Sequence, residues 1–269
     1  MKPEIIFEAK PLPSDSPSLI LGLQLGYILI DVCAHFLYDA AFQKSVITIT
    51  DRHTNKLSER ILSRSHTTLT VYGREVIDDK TSHVYMSNHQ SLFDIPILFA
   101  SIPGSLRMVA KTELFRVPVL GQALARAGFV EVDRRRHLKA IAQLEQAKDR
   151  LKEGISIWIS PEGTRTRHPE HGLKPFKKGG FLTAASLEAP IIPMWIDGTD
   201  KVIFPDSPRV HPNKHVSVYF GNPISTKGLR TPEIPALMEQ VRVAMISLKP
   251  IHLHQHQQGN DLSPALVVE

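Results

Sequence analysis

Short apolar runs and longer segments of helical spacing alternate along most of this chain. Apolar runs predict strands at residues 83–86, 106–110, 129–132, 155–159, 190–196 and 215–220. Between and after them, apolar residues three and four positions apart predict helices at 95–100, 117–127, 136–152, 181–187 and 231–248. The run at 215–220 alternates, which predicts a strand nearer a sheet edge. Strands that alternate with helices predict an α/β fold, a layered mixed sheet flanked by helices.

The N-terminal part of the chain departs from this pattern and predicts amphipathic helices. The segment from Leu19 to Phe42 is almost entirely apolar, and its polar residues fall on one narrow stripe: Gln24, Asp31, His35 and Asp39. Such a helix suits a membrane interface, with a packed core helix as the alternative. The apolar run 19–30 alone is shorter than the roughly 20 residues of a membrane-spanning helix. It also begins too late for a signal peptide.

A second helix is predicted over residues 51–64, with a basic residue at every fourth position. The basic residues are Arg52, Lys56, Arg60 and Arg64. A stripe of this kind is often a solvated face. Beside an interfacial helix it could instead lie against anionic lipid, where each charge contributes about 1 kcal/mol.

Composition limits the classes of protein to consider. The chain has 269 residues, 42% apolar and 22% charged, which fits one large globular domain with appendages. Its net charge of +5 favours negatively charged partners. The single cysteine, Cys33, excludes an intrachain disulfide and suits a reducing, cytoplasmic setting. We expect an N-terminal helical region over 1–80, an α/β domain over 81–250 and a low-complexity tail over 251–269.

The first candidate for chemistry is the stretch Asn88-His89-Gln90-Ser91-Leu92-Phe93-Asp94, between a predicted strand and a predicted helix. In α/β sheets, ligands bind where strands end in this way. If Asp94 accepts a hydrogen bond from one imidazole nitrogen of His89, the other nitrogen is free to take a proton. The pair has no nucleophile of its own, so the substrate would have to supply it. The alternative is that both residues only cap the helix.

The second candidate is Ser160-Pro161-Glu162-Gly163-Thr164-Arg165, which follows the strand at 155–159. Proline and glycine predict a tight loop there. The planar guanidinium of Arg165 suits a phosphate, and Glu162 could accept a substrate hydroxyl or hold an arginine in place. A surface turn with an ion pair is the alternative interpretation.

Further positive charge follows other predicted strands. The stretch from Lys174 to Gly180 brings lysines and glycines to a helix start, where backbone N–H groups favour an anion. Its spacing is not that of a P-loop. Arg134 and Lys111 are two more candidate phosphate contacts. Solvated side chains are the alternative in each case.

Taken together, these motifs resemble the four blocks of the glycerolipid acyltransferases. The blocks, in order, are Asn88-His89-x-Ser91-x-x-Asp94, Gly128 through Arg134, Pro161-Glu162-Gly163-Thr164-Arg165 and Ile192-Pro193. Within that family the chain is most similar to the 1-acyl-sn-glycerol-3-phosphate acyltransferases. Lys111 and Phe176-Lys177-Lys178-Gly179 match accessory positions. Ser160 and Glu131 stand where the family usually has an aromatic and an apolar residue, which leaves the shape of the acceptor site open.

The resemblance implies a role for each candidate residue. His89 would be the general base that takes the proton of the sn-2 hydroxyl of lysophosphatidic acid, and Asp94 would orient it. Arg165 would hold the acceptor phosphate together with Glu162, Gly163 and Thr164, and Lys111 and Arg134 would assist.

The resemblance also implies partners and a location. No metal or cofactor would be needed, and the acyl group would come from an acyl-CoA or acyl carrier protein thioester. The lysophospholipid acceptor would reside in an anionic membrane, so we expect an enzyme of phospholipid biosynthesis that is membrane-associated, on the cytoplasmic face. We expect no nucleic-acid partner.

Three alternatives stay open at this point. The same chemistry could act on another lysophospholipid, glycerol 3-phosphate or an aminolipid. A basic membrane- or nucleic-acid-binding protein without catalysis would explain the charge but not the His89 and Asp94 pair. Metal-assisted hydrolysis would need a third ligand near these two, and none stands nearby in the sequence.

Overall fold

The computed structural model describes residues 1–42, 45–132, 149–166 and 172–250. Among these residues, eight strands form one sheet. The strands are β1 (Pro3–Phe7), β2 (Thr68–Tyr72), β3 (Val84–Ser87), β4 (Leu106–Lys111), β5 (Val130–Val132), β6 (Ser156–Ile159), β7 (Ile191–Asp197) and β8 (His215–Phe220).

Helices connect and cover these strands. They are α1 (Leu19–Phe42), α2 (Val46–Ser65), α3 (Asp94–Ser101), α4 (Thr112–Phe115), α5 (Leu120–Arg126), α6 (Lys178–Ser186), α7 (Thr199–Val202) and α8 (Ile234–Ser247). Single 3-10 turns occur at Arg74–Val76 and Thr231–Glu233. The predicted mixed α/β class is confirmed.

The order of strands across the sheet is β1-β2-β8-β7-β3-β6-β4-β5. The five strands from β7 to β5 are all parallel to their neighbours, so their carboxyl ends meet at one edge. Strand β8 is antiparallel to β7 and parallel to β2, and β1 closes the other side antiparallel to β2. Strand β3 therefore lies in the interior of the sheet, between β6 and β7.

A hydrophobic core lies on each face of the sheet. Alternate residues of β3 enter different cores, because side chains of a strand point to opposite faces. Tyr85 joins the core shared with α1, α2 and α3, whereas Val84 and Met86 join the core formed with α6 and α8. The helices therefore cover both faces of the sheet, in agreement with the predicted layered α/β fold.

Most predicted elements lie where the apolar pattern placed them, with two exceptions. Strand β8 is not near an edge, because β2 pairs along its outer side. The pattern also gave no indication of β1 and β2, which are short and are stabilised by partners far along the chain. Strands β1 and β2 lie within residues 1–80 and belong to the sheet. The sheet therefore extends across the boundary predicted between the N-terminal region and the α/β domain. The helix predicted at 136–152 falls mostly outside the described residues, as does the tail at 251–269.

Two residues of the polar stripe of α1, Asp31 and Asp39, contact α2, whereas His35 is exposed. Asp31 forms an ion pair with Arg60, and His53 Nε2 lies 2.8 Å from Asp39 Oδ2. Arg60 thus leaves the predicted basic stripe of α2, while Arg52 and Lys56 stay exposed. The face of α1 that remains uncovered is apolar. Its most exposed residues are Ile20, Leu23, Tyr27, Tyr38 and Phe42.

A buried ion pair fixes α2 to the sheet. Arg107 of β4 is 1% exposed, and its Nη1 donates to Asp51 Oδ1 at 2.8 Å. Its Nε donates to the carbonyl of Ala127 at 2.7 Å, and Ser105 also donates to Asp51. Burial lowers the pKa of the Arg107 guanidinium below its ordinary value, and the Asp51 carboxylate opposes that shift. The guanidinium therefore depends on Asp51 for compensation.

We expect Asp51→Ala to lower the free energy of unfolding by about 3–5 kcal/mol, because it leaves a buried charge without its partner. Urea unfolding followed by circular dichroism measures this loss. Glu59→Ala, on the same helix and exposed, should change stability by about 0.5 kcal/mol or less. Equal effects of the two substitutions would contradict a structural role for the pair.

Candidate active site

The carboxyl ends of the parallel strands gather most of the predicted site residues. His89 follows β3, the loop 160–166 follows β6, and Lys111 is the last residue of β4. Because β6 and β4 are successive neighbours of β3 on one side, these segments share one edge of the sheet. This edge is where open α/β sheets bind ligands.

His89 and Asp94 form a hydrogen-bonded pair at this edge. His89 Nδ1 lies 2.6 Å from Asp94 Oδ2. Since a carboxylate only accepts, Nδ1 carries the proton and Nε2 is left as an acceptor. No described residue bonds to Nε2, and the His89 side chain is 17% exposed whereas Asp94 is fully buried. One nitrogen is thus oriented by protein and the other is open to a ligand.

The Asp94 carboxylate has four donors. Its Oδ2 accepts from His89 and from the backbone N–H groups of Gln90 at 2.9 Å and Ser91 at 3.1 Å. Its Oδ1 accepts from the hydroxyl of Thr199, which follows β7. A buried charge needs such compensation. Asp94 is also the first residue of α3, where the helix dipole favours negative charge.

The loop that carries His89 is held from both neighbouring strands. The Asn88 amide donates to the carbonyl of Ile196 and accepts from its N–H, both at 2.8 Å. The ring of Trp158, on β6, meets the His89 ring edge-on with centroids 5.3 Å apart. Trp158 Nε1 donates to Ser87 Oγ at 2.9 Å, which fixes the indole beside the imidazole.

The loop after β6 is bonded directly to the His89 backbone. The N–H of Thr166 donates to the carbonyl of His89 at 2.7 Å. Gly163 turns the loop with φ of +71°, a conformation that other residues rarely adopt. Thr164 is exposed and Arg165 half-buried. The loop and the histidine are therefore one structural unit.

Glu162 has a structural role that the sequence did not predict. It is 2% exposed, and its Oε2 accepts from Thr166 Oγ1 at 2.6 Å and from the N–H of Lys174 at 3.0 Å. It thereby closes the loop on itself. Its Oε1 is buried and has no hydrogen-bond partner among the described residues.

Positive side chains surround this loop. Lys177 and Lys178 are exposed at the start of α6, and Lys111 is exposed at the end of β4. The Arg165 guanidinium forms no hydrogen bond or ion pair with a described residue, while its carbonyl accepts from Lys174 Nζ at 3.0 Å. Arg134 lies outside the described residues.

A second carboxylate group borders the pair on the β7 side. Burial raises the pKa of the Asp200 carboxyl, Lys201 opposes the rise, and the negative charges of Asp197 and Asp94 add to it. Within the described ranges no group of three or more His, Cys, Asp or Glu residues is placed to hold a metal ion.

Comparison with known proteins agrees with this geometry. Residues 68–197 match the family model described as Acyltransferase. The matched segment is just under half of this chain. The match includes the His89–Asp94 pair, the loop 160–166 and the end of β7.

Three curated relatives carry the same activity in their names. The 1-acyl-sn-glycerol-3-phosphate acyltransferase of Saccharomyces cerevisiae is 33% identical over 174 residues, which are 64% of this chain and 57% of that protein. The alpha form from Mus musculus is 32% identical over 62% of this chain and 58% of its own length. The chloroplastic protein of that name from Brassica napus is 35% identical over 54% and 41%. The matches therefore span about half the length of these relatives.

A solved structure shares the whole fold. The crystal structure of the 1-acyl-sn-glycerophosphate acyltransferase from Thermotoga maritima superposes with a TM-score of 0.70 and covers 91% of this chain and 98% of its own. Its sequence is 22% identical, so the likeness concerns the fold. It extends well beyond residues 68–197, the part matched by the family model.

Sequence reasoning missed two residues that hold the pair, Thr199 and Trp158, and also the residue to which Asn88 bonds. Thr199 reaches Asp94 across 105 positions, Asn88 reaches Ile196 across 108, and Trp158 supports the His89 ring from β6. Only a prediction that β7 and β3 are neighbours could have brought Thr199 to the site. The Gly198-Thr199 pair directly after a strand was the available signal.

Proposed function

We propose that this protein transfers a fatty acyl group from an acyl thioester to the sn-2 hydroxyl of lysophosphatidic acid, giving phosphatidic acid. The observation that carries the proposal is the His89–Asp94 hydrogen bond beside the loop 160–166, at the ligand-binding edge of an acyltransferase domain. The names of the curated relatives support this acceptor.

In this reaction His89 acts as the general base. Nε2 takes the proton of the acceptor hydroxyl as its oxygen attacks the thioester carbonyl carbon. The carbon–sulfur bond then breaks, and the leaving thiolate takes the proton back from the imidazolium. The carrier, coenzyme A or acyl carrier protein, leaves as a free thiol, and His89 returns to its starting state. General base catalysis of this kind contributes roughly 10²–10⁴-fold.

Asp94 supports each protonation state of His89. Its Oδ2 holds Nδ1–H, so Nε2 is the nitrogen presented to the acceptor. When His89 becomes positively charged, the buried carboxylate stabilises the imidazolium. The pair needs no metal and no cofactor.

The acceptor phosphate would bind at the loop after β6. The guanidinium of Arg165, which pairs with no described residue, offers a planar set of donors, and Lys111 lies at the same edge of the sheet. Gly163 and Thr164 would present backbone and hydroxyl groups, and Arg134 would add charge. Glu162 would act through Oε1, which has no partner among the described residues, by orienting an arginine or accepting a substrate hydroxyl.

The N-terminal helices would place this site at a membrane. Helix α1 is long and apolar enough to cross a membrane, yet its buried side packs on α2 and α5 along its length. Its ion pair with Arg60 also commits it to α2. We therefore place α1 in the plane of an anionic membrane, with its exposed apolar face in the lipid. The cytoplasmic face, where acyl-CoA and acyl carrier protein occur, is the location that this reaction requires.

We expect His89→Ala to lower acyl transfer to lysophosphatidic acid by roughly 10²–10⁴-fold, because the hydroxyl loses its proton acceptor. Phosphatidic acid formation and thiol release in detergent micelles measure the loss. Acyl-CoA and the acyl thioester of acyl carrier protein are each tested as the donor. His35→Ala, an exposed histidine of α1, is the matched control and should retain activity. Activity that persists in His89→Ala would refute the general-base mechanism.

We expect Arg165→Ala to raise the KM for lysophosphatidic acid about tenfold or more, since a hydrogen bond to a charged group is worth about 1.5–3 kcal/mol. The kcat should change less, because the phosphate is bound equally before and during the reaction. The same acylglycerol without its phosphate should show no difference between Arg165→Ala and the wild type. Arg230→Ala, an exposed arginine outside the site, is the control. A uniform loss on both acceptors would argue against a phosphate contact.

We expect the double substitution Leu23→Ser and Tyr27→Ser to reduce binding to vesicles of phosphatidylcholine and phosphatidylglycerol at least tenfold. Each side chain is more than two-thirds exposed in α1, and burying such a group in lipid is worth about 1.5–3 kcal/mol. Vesicle sedimentation measures binding. The matched control, Val243→Ser with Ile246→Ser, alters two exposed apolar residues of α8. Unchanged binding of the α1 variant would show that this face does not contact the membrane.

A further inference from the structure

We infer that Thr199 is a positioning residue of the acyl-transfer reaction, which it serves by fixing the Asp94 carboxylate that orients His89. The inference rests on the proposed function, since it assumes that the His89–Asp94 pair carries catalysis. It concerns a residue outside the stretch Asn88–Asp94 and on a different strand connection.

The two carboxylate oxygens of Asp94 accept different numbers of hydrogen bonds. Three donors meet at Oδ2: His89 Nδ1 and the N–H groups of Gln90 and Ser91. All three come from the loop that carries the pair. The hydroxyl of Thr199 is the one described donor to Oδ1. Because the Thr199 hydroxyl bonds to the other carboxylate oxygen, it fixes the rotation of the Asp94 carboxylate about the Cβ–Cγ bond.

The backbone before Thr199 is built for this contact. Gly198 has φ of +94°, and a side chain there would bring Cβ within 2.6 Å of the carbonyl oxygen of His215. Glycine is therefore required if β7 is to turn sharply into α7. The turn places Thr199, which is fully buried, under the start of α3.

Three further hydrogen bonds hold the same segment to the loop of the pair. Asn88 bonds both backbone groups of Ile196, just before the turn. Ser91 Oγ donates to the carbonyl of Ile203 at 2.9 Å, just after α7. The segment 196–203 is thus held at both ends, and Thr199 makes its central contact. A hydroxyl held this firmly can define the position of the group that it bonds.

This arrangement predicts an effect on turnover rather than on substrate binding. Without the Thr199 hydroxyl, Asp94 keeps its backbone donors but loses the constraint on Oδ1. The His89 ring would then sample orientations in which Nε2 is misaligned with the acceptor hydroxyl. A misplacement of about 1 Å can cost about 10²-fold in rate. The Thr199 hydroxyl bonds to Asp94, which is not among the residues proposed to hold the phosphate, so the KM should change little.

The test compares Thr199→Val and Thr199→Ser with the wild type in acyl transfer to lysophosphatidic acid. We expect Thr199→Val to lower kcat about 10- to 100-fold, with KM for either substrate within about twofold. Thr199→Ser keeps the hydroxyl and should restore kcat to within about threefold of the wild type. A kcat of Thr199→Val close to that of the wild type, or a failure of serine to rescue, would overturn the inference.

Thr226→Val is the matched control for the loss of a buried threonine hydroxyl. Thr226 is also fully buried, and its Oγ1 bonds the carbonyls of Ala184 and Ala189, away from the pair. It should lower stability while leaving kcat unchanged, whereas equal losses of kcat in both valine variants would reduce Thr199 to a structural residue. Full activity in His89→Ala would instead refute the general-base mechanism on which the inference rests, and a wild type without acyl transfer would refute the proposed function. An inactive His89→Ala beside a fully active Thr199→Val would refute only the role of Thr199.

Discussion

The buried negative charge of Asp94 is the constraint around which the rest of the site is arranged. A carboxylate without exposure to water is costly unless donors surround it. This one is compensated by two backbone N–H groups, an imidazole and a hydroxyl from a distant strand. Meeting those requirements fixes the loop after β3, the start of α3 and the turn after β7 relative to one another. The orientation of His89 follows from that arrangement.

The apolar pattern predicted most strands, the helices and the α/β class, because burial of one face of a strand or helix produces a periodicity among residues that are close in sequence. It also predicted that His89 and Asp94 would lie together, since five positions at a strand end are bridged by one short loop. It could not predict β1 and β2, whose stability comes from pairing with each other and with β8. The central position of β8 was missed for the same reason, because strand order is a property of distant contacts.

The polar residues show the same limit. Asp31 and Asp39 recur at helical spacing on α1, a pattern equally consistent with contact to water, to lipid headgroups or to another helix. The structure directs them at Arg60 and His53 of α2. Glu162 likewise has the chemistry of a substrate ligand in the sequence, yet one of its oxygens closes its own loop. The residue type determines which hydrogen bonds and ion pairs a side chain can form. The fold determines which of them it does form.

The second buried charge, on Arg107, helps to connect the proposed membrane-binding face of α1 to the His89–Asp94 pair. Through Asp51 it fixes α2 to β4, and α2 packs against both α1 and α3. The first residue of α3 is Asp94 itself. The apolar face of α1 and the imidazole of His89 are therefore connected through the packing of α2 against α1 and α3. If α1 lies in the membrane surface, the height of His89 above that surface is set by packing. A lysophospholipid whose chain stays in the bilayer would then meet the base at a defined depth, which favours acceptors whose hydroxyl lies just above the acyl region.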